Sequence, residues 1–148
     1  MTANGTRSEI LARALRAGVE GDLAAVRELC TTDVRVWTPR LTASTVEELL
    51  LKLERREVVF ADFELTVFPL DVGGDFACVE WTVSMTHVGR LQIDDVTSVE
   101  PTGLRVTAIG ATVAEFVGLQ ICALRQYWDE GMLLVQLGVG ELRGAIPG

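Results

Sequence analysis

Apolar residues recur at three- and four-residue intervals in the first part of the chain, which is the period of an amphipathic helix. Three such segments predict helices that begin at Ser8, Asp22 and Thr45, residue types that favour helix starts. Thr45 also stands three residues before a glutamate, the spacing of a capping box. Between the second and third helices, residues 34–38 are rich in β-branched side chains and predict a short strand that closes at Pro39.

The rest of the chain alternates with a period of two, which is typical of strands. The predicted strands are residues 63–67, 76–87, 91–93, 104–117 and 120–129. The glycines at 73 and 74 predict a hairpin turn, and Gly110 predicts a bulge or bend that curves the sheet. This order indicates an α+β fold with a curved antiparallel sheet packed over N-terminal helices. We expect one domain over residues 1–148, with an ordered core over about residues 8–138.

Composition and charge limit the possible partners. Of the 148 residues, 49% are hydrophobic, and a single domain of that length buries roughly 70% of its unfolded surface. The formal net charge of −8 repels phosphate backbones and anionic lipids. No apolar run is long enough to span a membrane, and the polar start does not resemble a signal peptide. We therefore expect a soluble, cytoplasmic protein that binds neither nucleic acid nor membrane.

Residue counts and spacing exclude several kinds of site. His87 is the single histidine, so a histidine-rich metal centre is excluded and no metal is expected. The glycine-rich strings that bind nucleotides in P-loop and Rossmann folds are absent. Cys30, Cys78 and Cys122 are scattered without a CxxC pair, which favours buried thiols in a reducing compartment over disulfides.

Several short motifs occur in the order of these elements. They are Gly21-Asp22, Asp33-Val34 with Pro39, Gly103 with Arg105-Val106, and Tyr127-Trp128-Asp129 followed by Leu133-Leu134 and Gln136-Leu137-Gly138. Together they resemble the SnoaL-like polyketide cyclases of the nuclear transport factor two-like superfamily. The resemblance implies a cone whose sheet wraps an apolar pocket, a homodimer, and no metal or organic cofactor. It implies no single reaction, since the superfamily includes cyclases, isomerases, hydrolases, dehydratases and non-catalytic proteins.

The resemblance makes Asp129 the general acid and base of an intramolecular aldol closure. A carboxyl beside Trp128 and Tyr127 at the mouth of an apolar pocket would lose hydration, which favours its protonated form and so proton transfer near neutral pH. A second interpretation stays open: Asp129 precedes Glu130 and Gly131 as a good N-cap for a terminal helical turn.

Alternation along the last strand places Arg125, Tyr127 and Asp129 on one face. Arg125 would then hold a carboxylate or enolate oxygen of a substrate, and Tyr127 would donate a hydrogen bond to it. The alternatives are an ion pair between Arg125 and an acid across the sheet, and an amphipathic core role for the Tyr127 ring.

His87 lies on the apolar side of its strand, together with Trp81 and Met85. A lone histidine there is commonly structural, but at a strand end it could relay protons to Asp129 or stabilise an oxygen. Trp81, Met85, Trp37 and Trp128 would line the pocket or belong to the core.

Two functions follow from these residues. The first is a small enzyme that performs cofactor-free acid/base chemistry, an aldol-type cyclisation or an isomerisation, on an apolar carbonyl substrate. The alternative is a non-catalytic module of the same fold that binds an apolar small molecule. In both, we expect a homodimer that forms through the outer face of the strand over residues 76–87. That face carries Glu80, Thr82, Ser84 and Thr86.

Overall fold

The computed structural model describes residues 6–70 and 72–139. The order of the predicted helices and strands is confirmed, but the first strand begins at Cys30 instead of residue 34, and the strand predicted over residues 63–67 covers Phe60–Leu70. The helices are α1 (Arg7–Glu20), α2 (Leu23–Leu29), α3 (Val46–Arg55) and α4 (Glu130–Gln136). The strands are β1 (Cys30–Trp37), β2 (Thr42–Ala43), β3 (Phe60–Leu70), β4 (Phe76–His87), β5 (Leu91–Gln92), β6 (Ser98–Val99), β7 (Arg105–Val117) and β8 (Gln120–Trp128). The sequence pattern did not predict the two-residue strands β2 and β6. No helix in these residues is long and apolar enough to cross a membrane.

Side-chain caps define where the helices begin. The start of α1 lies earlier than predicted, because Thr6 and Glu9 form a complete capping box around Arg7 and Ser8. The Thr6 hydroxyl accepts the Glu9 amide N–H at 3.2 Å, and the Glu9 carboxylate accepts the Thr6 N–H at 2.6 Å. Asp22 caps α2 as predicted, by accepting the Ala25 N–H at 3.1 Å.

The cap of α3 differs from a capping box in one bond. The Thr45 hydroxyl accepts the Glu48 amide N–H at 3.1 Å, as predicted. The Glu48 carboxylate, however, accepts the N–H of Ser44, at 2.7 Å. This bond, and then the contact with Lys52, lower the pKa of Glu48.

The main sheet has six strands in the order β2-β1-β8-β7-β4-β3. The neighbouring positions of β3 and β4 confirm the predicted hairpin, and β5 and β6 form a separate two-stranded sheet. The expectation of a wholly antiparallel sheet is wrong at one pair, since β1 runs parallel to β8, with Cys30 opposite Ile121 and Trp37 opposite Arg125. Hairpin connections set the direction of consecutive strands only, whereas parallel partners need a long crossover between them.

Contacts divide the chain into two compact units. The first unit contains the described residues up to Arg56, together with Val67–Trp81 and Gly110–Tyr127. In it, α1 packs on α2, α2 on α3, and α3 on β1. The second unit contains Glu57–Thr66, Thr82–Ile109 and the described residues from Trp128 onward.

Gly110 has a different role from the predicted bulge. Buried positions keep the same phase along β7, at Val106 and Ala108 before the glycine and at Thr112, Ala114 and Phe116 after it. The alternation therefore shows no inserted residue at this point. The Trp81 indole takes the space instead, because a Cβ on Gly110 would lie 2.6 Å from Trp81 Cη2 and closer still to Cζ2 and to the Tyr127 carbonyl oxygen.

Candidate functional site

In the first unit, a predicted substrate-binding residue and a predicted catalytic residue form an exposed aromatic pair. The rings of Trp37 at the end of β1 and Tyr127 near the end of β8 have centroids 5.3 Å apart and are tilted by 41°. Their exposed fractions are 44% and 47%, so much of each ring faces solvent. Exposed aromatic rings with polar edges are common contact residues for ligands and partners.

Arg125 forms an ion pair with an acid across the sheet, which was the predicted alternative to holding a substrate oxygen. Its Nη1 lies 3.1 Å from Oε2 of Glu115 on the neighbouring strand β7. Both side chains are about two-fifths exposed, so the pair contributes little to stability. Arg125 is therefore already neutralised across the sheet, although its guanidinium still has further donors for a ligand.

Trp81 belongs to the core of the first unit. Its side chain is buried, and its indole N–H donates to the Thr112 hydroxyl at 3.0 Å. The Gln126 amide donates to the same hydroxyl oxygen at 3.1 Å, and Thr112 is fully buried. Sequence reasoning missed Thr112 and Gln126, although a threonine at an inward position of β7 indicates that a buried partner is needed.

Asp129 is exposed and caps α4. Its Oδ1 accepts the Met132 amide N–H at 3.0 Å, so Asp129 is the N-cap that the sequence offered as the alternative to a catalytic role. The expected loss of hydration is wrong, because α4 starts directly after the strand and leaves the carboxyl in solvent. The neighbouring Trp128 donates its indole N–H to Glu130 at 3.1 Å.

His87 is a buried polar side chain in the second unit. It is fully buried at the end of β4, and Met85 two residues earlier is buried as well, so the predicted apolar side of this strand is confirmed. The Thr102 amide N–H and hydroxyl lie 3.1 and 2.9 Å from Nδ1, and the Phe60 ring centroid lies 5.6 Å from the imidazole. Nε2 has no hydrogen-bond partner among the residues that the structure describes.

A cavity of about 430 Å³ lies between α2 and α3 in the first unit. Apolar residues line it, including Leu23 and Leu50, and Arg27 and Glu47 form an exposed ion pair at its edge. The hydrogen bond between them is the largest cause that raises the pKa of Arg27 and lowers the pKa of Glu47, and their opposite charges act in the same directions. The sequence pattern did not indicate this cavity.

Comparison with known proteins decides the family. The family model of the SnoaL-like domain matches residues 11–124, which is more than half of the chain. The chain belongs to the SnoaL-like domain family. The resemblance inferred from the sequence motifs is therefore confirmed. No curated protein matches the chain at significant similarity.

Solved structures share the fold of this SnoaL-like domain. IdmH from Streptomyces antibioticus, provisionally assigned as a polyketide cyclase, is 24% identical, with a TM-score of 0.71 over 91% of this chain and 100% of that one. A provisionally assigned polyketide cyclase from Acidithiobacillus ferrooxidans is 22% identical, with a TM-score of 0.73 over 93% and 98%. A protein of ketosteroid isomerase-like fold from Catenulispora acidiphila, solved with trimethylamine, is 16% identical, with a TM-score of 0.70 over 88% and 93%. These similarities confirm the mixed α+β class and establish the fold alone.

The predicted site residues of the SnoaL-like domain are divided between its two units. Trp37, Trp81, Arg125 and Tyr127 belong to the first unit, and Met85, His87, Trp128 and Asp129 belong to the second. The first unit brings the rings of Trp37 and Tyr127 together. Sequence reasoning missed Thr102, because it follows Pro101 in a turn-rich stretch with no periodic pattern.

No group of three or more His, Cys, Asp or Glu side chains within residues 6–70 and 72–139 is arranged to hold a metal ion. All three cysteines are free, but the expectation of buried thiols holds only for Cys30, since Cys78 and Cys122 are half-buried. Burial raises the pKa of the Cys30 thiol to about 11, so this thiol is a poor nucleophile and a poor metal ligand near neutral pH.

Proposed function

We propose that this SnoaL-like domain performs cofactor-free acid/base chemistry beside a carbonyl group of an apolar small molecule. The reaction is an aldol-type cyclisation or an isomerisation. A base removes a proton next to the carbonyl, and the electron pair moves to the oxygen to give an enolate. In a cyclisation the enolate carbon attacks a second carbonyl, and the alkoxide that forms takes the proton from the protonated base. In an isomerisation a double bond is conjugated with the enolate, and the protonated base returns the proton to a different carbon of that conjugated system.

The observation that carries the proposal is the buried Nε2 of His87 without a partner among the described residues. Folded proteins pair nearly all buried polar side-chain atoms, so an unpaired one is a candidate contact for a ligand. In a water-poor environment, a fixed N–H donor stabilises a developing oxyanion strongly. His87 is therefore the proposed oxygen-stabilising residue.

The other candidate residues of the second unit have assigned roles in this proposal. Asp129 is the acid/base: Oδ1 is held by the helix cap, while Oδ2 makes no hydrogen bond to the described residues. Met85 and Trp128, which belong to the same unit as His87 and Asp129, are the proposed contacts to the apolar substrate. Catalytic hydrogen bonds often form only once substrate is bound, so an exposed base without substrate is compatible with this role.

One set of observations favours the alternative, a non-catalytic module that binds an apolar small molecule. Asp129 already caps a helix and Arg125 already pairs with Glu115, which are sufficient structural reasons for both residues. In that case His87 would orient a ligand without chemistry. Both functions therefore place the ligand at His87 and differ only in proton transfer.

Exchange of the protons next to a ketone separates the two functions. The purified protein is incubated with 1-tetralone in deuterated buffer, and loss of the α-proton signal is followed by NMR. Acceleration over buffer alone supports the enzyme, whereas binding of 1-tetralone without acceleration supports the binding module. Thermal stabilisation by 1-tetralone reports the binding itself.

Three variants test which residues produce the proton exchange. Asp129→Asn should lower it by about 10²- to 10⁴-fold, as removal of a general base does. His87→Asn should lower it by about 10²- to 10³-fold, as removal of an oxyanion donor does. Val96→Ser, at a position that is 92% exposed, is the matched control and should leave it unchanged. Full activity in Asp129→Asn would refute the proposed base.

We also propose that the protein is a cytoplasmic homodimer. The dimer would use the face of β4 that carries Glu80, Thr82, Ser84 and Thr86, none of which is fully buried. Sedimentation that shows only monomer at micromolar concentration would refute the dimer. The free cysteines support the proposed cytoplasmic location, since thiols persist in a reducing compartment. Cell fractionation tests this location.

A further inference from the structure

Thr102 approaches the imidazole of His87 with both of its polar groups. Its amide N–H points at Nδ1 with an N···N distance of 3.1 Å, and its hydroxyl oxygen lies 2.9 Å from the same nitrogen. The hydroxyl oxygen in turn accepts the Leu104 amide N–H, at 3.2 Å. An amide N–H can only donate, so Nδ1 accepts through its lone pair and carries no hydrogen.

The backbone on both sides holds this arrangement in place. The His87 N–H donates to the Leu104 carbonyl and the Gly103 N–H donates to the His87 carbonyl, both at 2.9 Å. The next two amides, of Val88 and Gly89, both donate to the Val59 carbonyl, also at 2.9 Å. A Cβ on Gly89 would lie 3.0 Å from the backbone carbon of Val58 and closer still to its oxygen, so the chain there cannot shift freely.

A neutral imidazole has one ring hydrogen, and here it must be on Nε2. That is the buried nitrogen for which the structure gives no partner among the described residues. We propose that Thr102 is a positioning residue that fixes the Nε2–H tautomer of His87, so that the ring donates a hydrogen bond to a ketone or enolate oxygen. This inference rests on the proposed function, and it selects oxygen stabilisation by His87 over the proton relay.

The inference also limits the ligand class. A buried donor without an acceptor is costly, and a ligand oxygen placed against Nε2 removes that cost. Ligands with a carbonyl or enolate oxygen are therefore preferred over hydrocarbons of the same shape. Loss of the acceptor atom from a ligand should reduce its affinity more than loss of an equal apolar volume.

Nitrogen NMR tests the tautomer directly. His87 is the only histidine of the natural chain, so a protein labelled with ¹⁵N-histidine and freed of any tag gives one pair of ring nitrogen signals. At pH 8 we expect Nε2 at the shift of a protonated ring nitrogen and Nδ1 at that of an unprotonated one. The reverse assignment, or an averaged pair of shifts, would overturn the inference.

Two variants separate the Thr102 amide from its hydroxyl. Thr102→Val keeps the amide and should keep the Nε2–H tautomer, whereas Thr102→Pro lacks the N–H and should allow the Nδ1–H tautomer. Thr102→Ser is the conservative control, with a spectrum like that of the original protein. If Thr102→Pro does not fold, the ring nitrogen shifts of the original protein alone decide whether the inferred tautomer is correct. A folded Thr102→Pro with unchanged ring shifts would refute the role of Thr102.

A matched pair of probes tests the ligand class. Titration with 1-tetralone should shift the Nε2 signal, and affinity for 1-tetralone should exceed that for tetralin by roughly tenfold. The His87→Asn side chain keeps an oxygen acceptor for the Thr102 amide but has no atom at the position of Nε2. This variant should therefore lose the preference for 1-tetralone over tetralin. No change at Nε2 on titration with 1-tetralone would overturn the ligand class.

The two proposals can fail separately. An Nε2–H tautomer that engages 1-tetralone without α-proton exchange supports this inference and refutes the enzyme. Exchange activity with the Nδ1–H tautomer supports the enzyme and refutes this inference.

Discussion

Replacing Gly110 by alanine should destabilise the protein, because the added methyl group would occupy space that the Trp81 indole already fills. The new Cβ would lie 2.6 Å from Trp81 Cη2, and closer still to Cζ2 and to the Tyr127 carbonyl oxygen. Carbon atoms in contact are normally about 3.5 to 4.0 Å apart, so the overlap is about 1 Å or more. The carbonyl belongs to the backbone of β8, which leaves the indole as the group that must move.

The expected change in the free energy of unfolding has three contributions. Overpacking of a core typically costs about 1–3 kcal/mol. Displacing the buried Trp81 also endangers its hydrogen bond to Thr112, with a net value of about 1 kcal/mol. Reduced entropy of the unfolded chain offsets about 0.4–1 kcal/mol. The free energy of unfolding should therefore fall by about 1–3 kcal/mol.

Equilibrium unfolding in urea, followed by circular dichroism, measures this change. Gly18→Ala is the matched control, because Gly18 lies within α1 and a Cβ there meets nothing within 4 Å. That control should stabilise the protein by about 0.5–1 kcal/mol. A Gly110→Ala protein within about 0.5 kcal/mol of the original, at an unchanged denaturant slope, would refute the packing argument.

Three further predictions concern the cap, the buried thiol and metal dependence. Asp129→Ala should cost about 1 kcal/mol in thermal unfolding and Asp129→Asn only a few tenths, and equal losses would contradict the cap. Between the ordinary pKa of a thiol and about 11, the unfolded chain releases the Cys30 proton while the folded protein keeps it, so stability should fall with rising pH by at most about 1.4 kcal/mol per unit. Cys30→Ala should remove that slope in urea titrations at several pH values, and an unchanged slope would contradict the assignment to Cys30. Exchange activity on 1-tetralone should survive EDTA, and loss that a divalent ion restores would contradict a cofactor-free reaction.

The sequence by itself determined the local elements. The caps at Asp22 and Thr45 and the apolar periodicity set the helices of the first unit, because both depend on residues a few positions apart. The hairpin of β3 and β4 followed from Gly73 and Gly74, which adopt the positive φ that glycine permits. Alternation with a period of two also placed His87 on the buried side of its strand.

Only the tertiary structure decided which distant residues meet. The parallel pairing of β1 with β8 and the Arg125–Glu115 ion pair join segments that local patterns treat independently. The same holds for Thr102, which lies fifteen residues from His87 and fixes its ring through a backbone amide that any residue except proline would supply. A side-chain pattern carries no information about such a bond, because its donor is the backbone and its geometry is set by how the chain folds back.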